Sequence, residues 1–149
     1  MERINYIKHT FIDTLLVARK WEVIINRIYP DSDLTVRQFI MIIIAANTFD
    51  YNPSIKDIST VMATSHQNTK ALLLQLEKKG FVTLYKDSKD NRVWRVNITD
   101  SKEGYWEARE KKDLETLLDL FSDISDESLQ ITYETMKKLD EKATRILEF

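Results

Sequence analysis

The chain has 149 residues, 31% charged and 43% hydrophobic, with a net charge of −2, two glycines, two prolines and no cysteine. One soluble domain of long helices fits that composition, whereas a disulfide frame, a thiolate metal site, a thiol redox switch and a many-turned β fold do not. The longest apolar run, residues 39–46, is far short of the ~20 residues that span a bilayer, and MERINYIKHT has no signal-peptide core, so a cytoplasmic protein with no membrane partner is expected.

Apolar residues at Ile4, Ile7, Phe11, Leu15, Ala18, Ile25 and Ile28 recur at helical spacing and predict a long first helix, ended by Tyr29-Pro30-Asp31. Thr35 and Gln38 are spaced as a capping box for a second helix, TVRQFIMIIIAANTF. It is apolar almost all round and is expected to be the central core element. Asn52-Pro53 breaks the chain, and Ser54 with Asp57 caps a third helix, SIKDISTVM. ATS then reads as a turn, HQNTKALLLQLEKKG as a fourth helix ending at Gly80, and FVTLY and RVWRVNIT as two strands around the charged tip KDSKDN. Thr99 or Asp100 starts another long helix, with Asp100 and Glu103 spaced as a capping pair. Within it Glu107–Lys111 and Arg109–Asp113 stand at i,i+4, and Leu114, Leu117, Leu118 and Phe121 form a stripe. Ser125 opens a last helix with Leu129, Tyr133, Met136, Leu139, Ala143 and Ile146 on one face.

Helix, turn, helix and hairpin in one unbroken run point to a DNA reader, because such a motif presents its second helix to a major groove and its wing to the flanking backbone or minor groove. Charge follows the same division. Residues 1–53 carry six basic and six acidic side chains, residues 54–98 eight and four, and residues 99–149 eight and fourteen. The positive excess therefore lies on the reader. In its second helix Thr69, Leu72, Leu73 and Leu76 are expected to pack inward, leaving Gln67, Lys70, Ala71, Leu74 and Lys78 outward. Ser65, His66 and Asn68 sit at the first turn, where unpaired N–H groups favour a phosphate. Gln67 and Asn68 carry the donor–acceptor pair that fits an adenine edge, and Lys70 reaches a guanine or a phosphate. The outward Leu74 is awkward on such a face: either it meets a thymine methyl or the face assignment is off. The bland alternative is a capped surface helix with polar residues facing water. In the hairpin, Asp87, Asp90 and Arg92 are spaced D-x-x-D-x-R; a carboxylate beside an arginine orients the guanidinium toward a narrow minor groove, or merely forms a weak turn salt bridge.

The run from Leu34-Thr35-x-x-Gln38, through SIKDISTVMATSHQNTKALLLQLEKKGFV, to the D-x-x-D-x-R wing and Ile98-Thr99 resembles the MarR family of bacterial transcription regulators. By motif the resemblance covers residues 34–104, and by length and helix order the whole chain. It implies a mainly α fold with a small β-hairpin wing: a winged helix-turn-helix lobe over residues 34–99 and a helical dimerisation stem from residues 1–33 and 100–149. It also implies a homodimer on a pseudo-palindromic operator in double-stranded DNA and a crevice between stem and reader for a small-molecule effector of a repressor; the residues themselves show no active-site pattern, so no enzymatic activity and no cofactor are expected. By position Ser65, His66, Gln67, Asn68 and Lys70 match the family's recognition-helix contacts, Arg92 its wing arginine and Asp90 the orienting acid; Lys89 completes the expected contact set. Ala63 departs from the glycine common in the turn, His66 and Gln67 from the frequent basic-serine pair, and residues 99–104 from the usual threonine-to-glycine spacing.

Two alternatives stay open on the residues alone. The terminal helices, each with an apolar stripe, close either one larger globule or a dimer stem. The winged helix itself could be a protein-interaction module, betrayed by an apolar patch where a DNA reader is basic. His9 with Asp13, and Glu103 with Glu107, lack the second cluster a metal site needs, and both glycines fall at helix ends or in helices, where they form no phosphate-cradling loop. Trp21, Trp94 and Trp106 would line an aromatic-ligand pocket or simply serve core and interface. Met41, Met62 and Met136 all fall on faces expected to be buried.

Overall fold

The helices start where side chains can satisfy exposed backbone amides. In the computed structural model, which describes residues 1–30 and 34–148, α1 spans Arg3–Ile28. It ends at Tyr29, whose N–H still bonds the Ile25 carbonyl at 3.0 Å. Asp31 and the boundary expected after residue 33 lie outside the described residues. Thr35 then caps α2 (Val36–Asn47): its Oγ1 accepts from the Gln38 N–H at 3.2 Å, while the Gln38 side chain accepts from the Thr35 N–H at 3.1 Å. Ser54 and Asp57 repeat the box at the head of α3 (Ile55–Val61), at 3.0 and 2.9 Å. Such caps stabilise a helix by about 1 kcal/mol each.

The turn into α4 (His66–Lys78) carries a strained residue. Ala63 has φ 49°, the left-handed region where a Cβ costs about 1–2 kcal/mol. Glycine relieves that strain but adds about 0.4–1 kcal/mol of unfolded-state entropy. Ala63→Gly is therefore expected to stabilise the lobe by roughly 0.5–1 kcal/mol, read by urea or thermal unfolding; a lower midpoint would contradict the strain. At the far end of α4, Gly80 takes φ 84°. Its N–H reaches the Glu77 carbonyl and that of Phe81 reaches the Leu76 carbonyl, both at 3.0 Å, so the last carbonyls are satisfied as the chain reverses.

Strands β1 (Val82–Lys86) and β2 (Trp94–Ile98) pair antiparallel, with Val82 opposite Ile98 and Lys86 opposite Trp94. The second strand is shorter than its pattern suggests. Val93 donates to the Asp90 carbonyl at 3.0 Å and accepts from the Asp87 N–H at 2.8 Å, so Arg92 and Val93 belong to the tip. The base of the wing is fastened to the loop before α3, where Val96 N–H donates to the Pro53 carbonyl at 2.9 Å and Ser54 bridges Arg95.

The core of this unit, Met1–Ile98, gathers Met41, Ile42 and Ala45 of α2, Ile55 and Ile58 of α3, Leu73 and Leu76 of α4, and Phe81, Val82 and Val96 of the wing. Burying each large apolar side chain contributes roughly 1.5–3 kcal/mol. Gln38 is buried among them and fully used: its amide donates to Gln75 at 2.8 Å and its oxygen also accepts from Lys79 Nζ at 3.0 Å. Contrary to the pattern, α2 is not buried all round, because Ile40 and Ile43 stay exposed. On α4, Thr69, Leu73 and Leu76 face inward as expected, and Leu72 is only half-buried.

The second unit starts at Thr99. Its first helix does not begin as expected. A 3-10 turn, Asp100–Lys102, comes first, no side chain caps it, and α5 runs Glu103–Leu120. The Thr99 hydroxyl is occupied by Ser101, which donates to it at 3.1 Å, and Asp100–Glu103 form no capping pair. Arg109 and Asp113 do meet, at 3.0 Å, while Tyr105 OH lies 2.9 Å from the same guanidinium. Ser125 caps α6 (Asp126–Leu147) through the Ser128 N–H at 3.3 Å. No described residue of α1 or α6 is fully buried. Met136, expected inside, is exposed, and Met62 is half-buried; only Met41 is fully enclosed. Two antiparallel strands on a mainly helical chain, joined to a helix-turn-helix, make this a winged helix fold.

Candidate nucleic-acid interface

The start of α4 is built to leave polar side chains unspent. Ser65 Oγ accepts the Asn68 N–H at 3.1 Å, and the Thr69 hydroxyl turns back onto the Ser65 carbonyl at 2.9 Å. That fixes the first turn and buries Thr69 against the core. Ser65 is thus spent on the cap, though its hydroxyl proton stays available to donate. His66, Gln67, Asn68 and Lys70 are exposed, and among the described residues no hydrogen bond or ion pair engages their side chains. Leu74 also faces outward, 48% exposed, one turn beyond Lys70. Packing through Thr69, Leu73 and Leu76 therefore aims the opposite face at solvent.

The wing tip is organised by two carboxylates with different partners. Asp90 holds Arg92 as a fork: Nε donates to Oδ1 and Nη2 to Oδ2, both at 3.1 Å, and Oδ1 also accepts the Arg92 N–H at 3.0 Å. The Arg92 side chain is 90% exposed all the same. A guanidinium held this way is directed without being covered, and its pKa rises further because Asp90 hydrogen-bonds it. Asp87 does not touch Arg92. One oxygen, Oδ2, accepts the Lys89 and Asp90 N–H groups at 3.0 Å, while Oδ1 accepts Arg95 Nε at 3.0 Å. Lys89 is exposed at the tip, and Lys86 lies over the Trp94 ring at 5.6 Å.

Both carboxyls are held below their ordinary value of 3.8, Asp87 first by Arg95 and then by the two tip amides, Asp90 by Arg92. A depressed carboxyl stabilises the fold above the ordinary value and loses that contribution as pH falls through its own lower one. The tip is therefore expected to stay closed from pH 8 down through 4 and to loosen only in stronger acid, read by Trp94 fluorescence or by the amide signals of Lys89 and Arg92. Loosening centred above pH 4 would contradict the pairing.

Sequence reasoning missed Arg95 as anything but a positive charge. The signal was present: alternation along β2 that turns Val96 inward places Arg95 beside Tyr85, its partner across the ladder. Trp21 borders a crevice of ≈ 450 Å³ formed with Ala18, Ile25, Val36 and Ile40 between α1 and α2. Trp94 lies in the wing, and Trp106 meets Tyr105 edge-on at 5.0 Å. Among the described residues no group of three or more His, Asp or Glu is placed to hold a metal, and no helix is long and apolar enough to cross a membrane.

No family profile matches the chain, and no curated protein resembles it in sequence. Solved structures do resemble it in fold. A MarR protein from Peptoclostridium difficile superposes with TM-score 0.78 at 18% identity, over 92% of this chain and 88% of that one. The transcriptional regulator BldR from Sulfolobus solfataricus gives 0.77 at 18%, over 97% and 99%. MepR from S. aureus, solved as a complex with DNA, gives 0.72 at 20%, over 87% and 94%.

Proposed function

We propose that this chain is a MarR-family transcription regulator that binds a pseudo-palindromic operator in double-stranded DNA as a homodimer. In this reading α4 enters the major groove, where Gln67 and Asn68 meet base edges and Ser65, His66 and Lys70 meet bases or phosphate. Arg92, aimed by Asp90, enters the flanking minor groove with Lys89 beside it. One observation carries the assignment: a rigidly packed helix whose exposed first-turn side chains are uncommitted, followed directly by a wing whose arginine is oriented yet open. Nothing in the reading calls for a cofactor or for catalysis, and it places the protein in the cytoplasm.

The competing reading, a protein-interaction module, asks for an apolar surface at the start of α4. There the exposed residues are His66, Gln67, Asn68 and Lys70; Leu74 stands alone one turn later. That composition favours nucleic acid. Support for a repressor released by a small molecule comes from the crevice beside Trp21, large enough for a small aromatic ligand. An effector there acts only if it prefers a spacing of the two lobes that cannot reach both half-sites; a preference of ~2 kcal/mol shifts operator affinity roughly thirtyfold.

Selection of duplexes from a random library by the purified chain tests the proposal. Enrichment of a two-fold symmetric motif, with half-site centres about 10 bp or a multiple apart, is the expected result. A library that stays random would remove the DNA-binding reading.

A further inference from the structure

Arg95 is the second residue of β2, and its side chain is only 27% exposed, with the guanidinium engaged on several sides. Nε donates to Asp87 Oδ1 at 3.0 Å, Nη1 donates to the Asn52 carbonyl at 3.3 Å and lies 3.9 Å from Asp57 Oδ2, and the group sits over the Tyr51 ring at 5.9 Å. Asn52 is gripped a second time, its Nδ2 donating to Tyr85 OH on β1 at 2.9 Å. Three separate pieces therefore converge on one cation: the loop before α3, the capped first turn of α3 through Asp57, and the wing.

The convergence continues to the tip through a single carboxylate. Asp87 gives one oxygen to Arg95 and the other to the N–H groups of Lys89 and Asp90. Asp90 in turn holds Arg92 in its fork. Without Arg95 the tip amides keep their acceptor, but that acceptor loses its tie to the body of the lobe.

We propose that Arg95 is a positioning residue: it latches the wing onto the head of α3 and so sets the direction from which Arg92 meets DNA. The inference rests on the DNA-binding reading above, and Arg95 acts through Arg92 without touching DNA itself. A two-stranded hairpin alone is marginally ordered in water, so a latch at its base decides how far its tip wanders. Arginine suits the task because its planar fork serves several acceptors in fixed directions, which a lysine ammonium does not.

The test has one arm without DNA and one with it. In the free protein, hydrogen exchange at the Lys89, Asp90 and Arg92 amides is compared between wild type, Arg95→Ala and Arg95→Gln, the glutamine variant keeping part of the stem should alanine disturb folding. Faster exchange at these amides, with α4 amides and the melting midpoint near wild type, supports the latch; unchanged tip exchange overturns it whatever DNA does. Affinity is then measured for a duplex that the wild-type chain selects from random sequence. Arg95→Ala is expected to bind roughly fivefold more weakly, the scale of one coupled contact in a charged network. In an Arg92→Ala background the same change should cost less than about twofold, because its route to DNA is already gone. Additive losses, or a shallower salt dependence for Arg95→Ala alone, would mean that Arg95 meets DNA directly and would overturn the positioning role. Absence of wild-type binding to any duplex, with the tip still loosened by Arg95→Ala, would overturn the DNA reading and with it the purpose assigned to the latch, a result the first arm keeps distinct.

Discussion

Arg92→Ala is expected to weaken binding to a selected duplex by roughly ten- to a hundredfold while leaving the melting curve unchanged. The side chain is 90% exposed and, among the described residues, makes its side-chain hydrogen bonds to Asp90 alone, so its loss removes nothing from the core. What it removes is a directed cation, and a narrow minor groove concentrates negative potential where that cation would lie. Arg92→Lys should fall between wild type and alanine, since an ammonium keeps the charge but not the two-point fork. Lys70→Ala, on the free face of α4, should weaken binding as well. If Lys70 meets phosphate, the slope of log affinity against log salt drops by about one. Fluorescence anisotropy over a salt series reads both variants. Unchanged affinity for both, with native melting, would overturn the assignment of α4 and the wing tip as the surface that meets DNA.

How much of this site was legible depends on how local its interactions are. The boxes at Thr35/Gln38 and Ser54/Asp57 join residues three apart, so spacing alone identifies them, and both form. The Asp90–Arg92 fork spans two residues and was readable for the same reason. Gly80 announced the end of α4 because only a residue free of Cβ strain takes φ 84° cheaply. The contacts that join elements gave no such sign. Gln38 meets Gln75 and Lys79, 37 and 41 residues away, and Arg95 reaches back 43 residues to Asn52. No pattern of period two or 3.6 encodes those pairs; they exist because the fold brings three helices and a wing to one core. Competition between nearby acceptors accounts for the misplaced starts. Val93 pairs within the tip and so leaves the ladder, and Ser101 takes the Thr99 hydroxyl at the turn before α5.

A second large effect is expected from α6. Tyr133, Met136, Leu139 and Ile146 form one stripe and are 66, 44, 49 and 63% exposed, and Ile4, Ile7, Phe11 and Leu15 on α1 are similarly open. A single chain does not keep such stripes wet without a partner, which supports a second copy as their cover. Sedimentation at micromolar concentration should then give twice the 17.6 kDa chain mass. Leu139→Glu should break that assembly. An isologous interface contains the substitution twice, and a charge forced into an apolar contact costs about 2 kcal/mol or more at each copy, so the dimer dissociation constant should rise at least roughly a thousandfold. Helix content should hold, because a glutamate exposed on a free α6 is a good helix former. DNA binding should fall further than for any contact residue, since a monomer addresses one half-site and forfeits the roughly 10²- to 10⁴-fold gain of engaging two. The two readouts separate the causes: loss of mass with intact helicity identifies α6 as interface, whereas loss of helicity would mark Leu139 as part of the chain's own packing. A wild-type chain that sediments as a monomer would overturn the dimer and leave each lobe to bind a half-site alone.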